Sequence, residues 1–137
     1  MDEDRRLRQI LTDARVIAVV GWSPKPDRPS HGVARFLHSR GYRVIPVNPG
    51  QAGQDSGLGE LVRASLADID GPVDMVDIFR RSDEVGPVVD QAVAMGARVV
   101  WMQLGVVNEA AAEAARKAGL QVVMNRCPAI EIPRLGM

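Results

Sequence analysis

Apolar positions along the chain switch repeatedly between two periodicities. Leu7, Ile10, Leu11 and Ala14 fall at i, i+3, i+4 and i+7, which predicts an amphipathic helix near residues 3–14. Val16 to Val20 is an unbroken apolar run rich in β-branched residues, the pattern of a strand buried on both faces. Val33, Phe36 and Leu37 share one helix face, and Gly41 is placed to stop that helix. Arg43 to Val47 predicts a second strand, closed by Asn48-Pro49. Gly50 to Gly59 holds four glycines and is expected to be a mobile loop, followed by a short helical turn at Ser65–Ile69. Val73–Phe79, Val99–Met102 and Leu120–Met124 predict three more strands. Ser82 is a candidate cap for a helix carrying Val85, Val88, Val89 and Ala92, with Pro87 leaving its start open between Ser82 and Gly86. Asn108 should cap a helix over 109–118 that Gly119 ends.

Strands that alternate with helices, each nearly all apolar, describe a parallel sheet of about five strands with helices on both faces. Right-handed crossovers make it a doubly wound, Rossmann-like α/β fold, here expected as a single domain spanning residues 1–137. Composition agrees: 46% hydrophobic, 25% charged, and 17 basic against 17 acidic residues. A zero net charge gives no sign of a nucleic-acid or membrane-surface partner. The charged start, Met1-Asp2-Glu3-Asp4-Arg5-Arg6, lacks the apolar core of a signal peptide, and the one cysteine, Cys127, rules out an internal disulfide. A cytoplasmic location is expected.

In such a sheet a ligand lies beyond the carboxyl ends of the strands. The end of strand one is the richest: Gly21-Trp22-Ser23-Pro24-Lys25-Pro26-Asp27-Arg28-Pro29-Ser30-His31 offers two hydroxyls, two cations and a helix start. Free backbone N–H groups and the helix dipole suit such a turn to phosphate. The G-x-G-x-x-G spacing is absent, and Asn48 stands where NAD-binding units place an acidic residue for the ribose. An NAD(P)-dependent oxidoreductase is therefore the disfavoured alternative. Gly21-Trp22-Ser23 also resembles the start of a hydrolase elbow, but Pro24 has no N–H to serve an oxyanion.

The chain resembles the small stand-alone CoA-binding proteins, whose fold matches the CoA-binding domain of the succinyl-CoA synthetase alpha subunit. The stretches that carry this are Gly21-x-Ser23 with Arg28-x-Ser30, Gly41-Tyr42-Arg43-Val44-Ile45-Pro46-Val47-Asn48-Pro49, and Ser65-Leu66-x-Asp68-Ile69. Val73-Asp74-x-Val76-Asp77-x-Phe79-Arg80, Trp101-x-Gln103-x-Gly105-Val106 and Val123-Met124-x-Arg126-Cys127 continue in the same order. The resemblance implies that Gly21, Trp22, Ser23, Lys25, Arg28 and Ser30 surround the phosphates of coenzyme A or an acyl-CoA. It also implies that Asn48 and Pro49 border the adenosine, while Phe79, Arg80, Gln103 and Gly105 line the rest of the cleft. The implied function is non-catalytic CoA binding; an interaction protein with a disused nucleotide site is the other alternative.

Three departures stand out. Trp22 is bulky where the family is small or aliphatic, and is expected to stack on the ligand or narrow the site. The Gly50–Gly59 loop lacks the usual charged and aliphatic residues. Glu131-Ile132-Pro133-Arg134-Leu135 replaces the customary Glu-His before Arg-Leu. The phosphorylatable histidine of the synthetase has no counterpart, and His31 and His38 lack partners at metal-ligand spacing. Cys127 reads as a small buried apolar residue, or alternatively as a thiol near that of CoA.

Overall fold

The computed structural model describes residues 2–137; Met1, part of the charged start, lies outside them. Five parallel strands form one sheet in the order β2-β1-β3-β4-β5, with β1 at Val16–Val20, β2 at Arg43–Val47, β3 at Met75–Ile78, β4 at Val99–Met102 and β5 at Gln121–Val123. The apolar runs became strands for the expected reason: 18 of these 21 residues are buried on one face or the other.

Period-two alternation divides the core. Ala18, Val20, Ile45, Val76, Ile78, Val100 and Met102 pack under α3 (Val85–Ala94) and α4 (Glu109–Lys117). Ile17, Val19, Val44, Met75, Val99 and Trp101 face the opposite layer, built from α1 (Asp2–Asp13), α2 (Pro29–Ser39) and α5 (Pro128–Arg134). The start of β1 is pinned by Asp74, whose Oδ2 accepts from the backbone N–H groups of Arg15 and Val16, each at 2.9 Å.

Four expectations are corrected. Ser82 does not cap α3: a 3-10 turn spans Ser82–Glu84, α3 starts at Val85, and Pro87 sits in its first turn, where no intrahelical N–H bond is lost. The Ser82 hydroxyl instead accepts from Val107 N–H at 3.0 Å and reaches the Gly105 carbonyl at 3.4 Å, tying two loops together. The Gly50–Gly59 segment is bonded to itself: Gly53 N–H donates to the Val62 carbonyl, Val62 N–H to Gln54 and Ser56 N–H to Glu60. The third and fifth strands are shorter than their apolar runs. Finally, Pro128–Arg134 forms α5, a helix that the apolar periodicity of the segment does not predict. Asn108 does cap α4, its Oδ1 accepting from Ala111 N–H at 2.9 Å.

Candidate functional site

The chain order places the switch point between β1 and β3, whose crossovers leave in opposite directions. Gly21 makes the turn there. Its φ is +90°, and a Cβ would lie 2.3 Å from the Phe79 carbonyl oxygen, so only glycine lets the loop pass β3 this closely. Gly21 N–H donates to the Val47 carbonyl at 2.9 Å, joining the ends of β1 and β2.

From this turn a cavity of about 840 Å³ opens over the carboxyl edge of the sheet. Gly21, Ser23, Lys25, Arg28, Ser30, Asn48, Phe79, Arg80 and Gln103 line it, together with Gln51, Arg81, Leu104, Val106, Cys127 and Ile130. Four cations and, among the described residues, no carboxylate or histidine border the space. Arg80 and Arg81 are partly held by Glu84 and Asp83. Lys25 and Arg28 are exposed and make no ion pair among the described residues. Arg28 is also the N-cap residue of α2, with Pro29 at the first helical position and no side-chain cap. Pro29 has no N–H, and the His31 and Gly32 N–H groups donate to the Arg28 carbonyl at 3.0 and 3.5 Å, so the positive end of the α2 dipole rather than a row of free donors faces the loop.

Three of the residues expected around the ligand are placed otherwise. The Trp22 indole is 2% exposed and packs in the α1/α2/α5 layer, stacked on His31 at 5.9 Å between ring centres. It does not line the cavity; apolar burial took the side chain inward, and only its backbone follows the loop. The Trp22 carbonyl accepts from Asn48 Nδ2 at 2.6 Å, and Asn48 Oδ1 accepts from Gly50 N–H at 2.9 Å. Both ends of the Asn48 amide thus brace the two loops. Gly105 is also outside the cavity, its N–H given to Asn125 Oδ1 at 2.8 Å. Asn125 holds the left-handed conformation, φ 61°, that makes this bond. Pro49 lines a second cavity of about 410 Å³ on the α3 side of the sheet, bordered by Ser65, Asp83 and Pro87, with Arg80 common to both spaces.

His31 Nδ1 lies 3.0 Å from the Ser23 carbonyl, so that nitrogen donates and holds the loop against α2. His38 is exposed. Gln103, 6% exposed, lines the cavity, and its Oε1 has no hydrogen-bond partner among the described residues. An unpaired buried acceptor costs about 1–3 kcal/mol. Asp77, on β3 between Val19 and Trp101, is fully buried with both carboxylate oxygens unpaired. Desolvation pushes its carboxyl well above the usual range and favours the neutral acid over the carboxylate.

Residues 15–133 match the CoA binding domain family. The chain belongs to that family. Its relatives include the uncharacterized protein YneT of Bacillus subtilis (strain 168), 41% identical over 121 residues, 88% of this chain and 87% of YneT. Among solved structures, cell-free ID.343 from Thermus thermophilus is 39% identical with a TM-score of 0.92, covering 96% of this chain and 98% of that one. The apo dinucleotide-forming acetyl-coenzyme A synthetase 1 of Ca. Korarchaeum cryptofilum matches 80% of this chain with a TM-score of 0.68 and 26% identity, over 26% of its own length. Membership in the CoA-binding family supports coenzyme A as the general class of ligand. Among the described residues, no helix is long and apolar enough to cross a membrane.

Proposed function

We propose that the chain binds coenzyme A or an acyl-CoA, with the phosphates at the Gly21–Ser30 loop and the start of α2. The observation that carries this is a cavity beginning at a glycine-enforced turn, bordered by four cations and free of carboxylates. CoA bears a pyrophosphate and a further phosphate on its ribose, so it needs several cations; Lys25 and Arg28 are unpaired and within the cavity wall. Pro24, Pro26 and Pro29 stiffen the loop and reduce the cost of ordering it. The adenosine fits the smaller cavity by Pro49 and Ser65, reached past Arg80, which borders both.

The cavity wall offers no histidine or carboxylate for general acid–base work. Asn48 is spent on bracing loops and leaves no acidic group for an NAD ribose. Titration calorimetry with CoA, acetyl-CoA, NAD and NADP tests the reading. Heat from CoA species in the micromolar range and none from the dinucleotides is the expected result; the reverse preference would overturn it.

A further inference from the structure

The cleft does not stop at the phosphate loop. It crosses the carboxyl edge past β3 and β4 to the end of β5, where Cys127, 6% exposed and packed on its other side in the α1/α2/α5 layer, is part of its wall. From β1 to β5 is three strand spacings, roughly 15 Å, a span suited to the extended pantetheine arm of CoA. The far end is built differently from the near end. Val106 forms apolar wall there, and Leu104 and Ile130 remain 53% and 52% exposed at its rim. Gln103, 6% exposed, is part of the same wall, and its Oε1 has no hydrogen-bond partner among the described residues, an acceptor that an amide N–H of a ligand would satisfy. Pantetheine has such amides, and beyond them a thiol.

We infer that Cys127 is a site of covalent modification, forming a mixed disulfide with the pantetheine sulfur of CoA through exchange with CoA disulfide. This rests on the CoA reading above. In the step, the deprotonated Cys127 Sγ attacks one sulfur of the symmetrical CoA disulfide, whose S–S bond breaks. A new Sγ–S bond forms, one CoA leaves as its thiolate, and that thiolate takes up the proton Cys127 gave to solvent. No electrons are gained or lost overall, because the disulfide that enters is the oxidant. Transfer of an acyl group to Cys127 is the less favoured chemistry: it calls for a general base, and no histidine or carboxylate lines the cleft. Exchange needs the Cys127 thiolate, formed by loss of its proton to solvent, and in-line access, with CoA thiolate as a good leaving group. With Cys127 occupied, the bound CoA would be retained until a reductant released it.

The test uses the full chain, reduced and freed of small thiols. Calorimetry first establishes CoA binding to this reduced protein. The protein is then incubated separately with CoA disulfide and with glutathione disulfide, and followed by intact mass and peptide mapping. The expected result is one CoA adduct on the Cys127 peptide, reversed by dithiothreitol, forming at least about tenfold faster than the glutathione adduct because the site holds its reagent. Arg28→Ala should slow reaction with CoA disulfide by a larger factor than it slows that with glutathione disulfide, which bears no phosphates. Equal rates for the two disulfides, or no adduct from CoA disulfide in protein that binds CoA, would overturn the inference and leave the CoA reading standing. Absence of CoA binding in the calorimeter would remove both. Mapping is done on the natural chain, so the result does not depend on whether Cys127→Ala folds.

Discussion

Individual residues carry the site in ways their type alone does not reveal. Gly21 is needed twice over, for its positive φ and for the contact with the Phe79 carbonyl. Gly21→Ala should lower stability by at least about 2 kcal/mol, read as a drop in urea midpoint; an unchanged midpoint would show that the turn is not strained. Arg28 is exposed and unpaired, so its removal should spare the fold. Arg28→Ala is expected to weaken CoA binding by about 1.5–3 kcal/mol, roughly ten- to hundredfold, and calorimetry showing full affinity would remove it from the phosphate site. Asp77 titrates in the opposite sense to an ion-paired carboxylate. Its folded pKa is raised, so the stability it contributes is present below the unfolded value and lost as pH rises toward the folded one. Asp77→Asn does not titrate; its stability relative to the natural chain should climb from about pH 4 toward neutrality, and parallel pH profiles would contradict this. Trp22 shows the limit of reading residue by residue. Its place in the loop suggested a ligand contact, whereas its indole is core.

At the scale of elements, β1, β2 and β4 begin and end as the apolar runs indicate, because a strand covered on both faces leaves an unmistakable continuous pattern. The α5 helix left no such pattern. It has seven residues, with Pro128 at its first position and Pro133 inside, so its intrinsic helix tendency is low. What holds it is burial of Ile132 and Leu135 against the α1/α2 layer, together with Arg134, which meets Asp4 of α1 and Glu131 of its own helix. Ile132→Ala should therefore cost about 2–5 kcal/mol, while the exposed Ile130→Ala changes stability by no more than about 0.5 kcal/mol. Chemical denaturation of the pair distinguishes them, and equal losses would mean that α5 does not pack as described. The glycine-rich segment after β2 gives the converse case. Its composition suggests mobility, but Leu58 and Val62 are buried and the backbone closes on itself, leaving a braced excursion beside β2.

For the whole molecule, ligand and fold are linked. CoA at a hundred times its dissociation constant should raise stability by about 2.7 kcal/mol, seen as a shift in thermal midpoint. The shift should shrink in high salt, since Lys25 and Arg28 are exposed to screening; a shift indifferent to salt would argue against cationic phosphate contacts. The sequence by itself determined the α/β alternation, the parallel sheet, the family and the loop at the end of β1. These follow from local periodicity and from residues close together in the chain. The tertiary structure alone decided which of those residues face the cleft. It turned Trp22 into the core, committed Asn48 and Gly105 to neighbouring loops, and moved Pro49 to the second cavity. It also brought Cys127, 106 residues beyond Gly21 in number, onto the same cavity wall. Side-chain direction at a loop depends on which apolar layer lies nearest and which long-range hydrogen bonds are available, and neither is written in the spacing of a single segment.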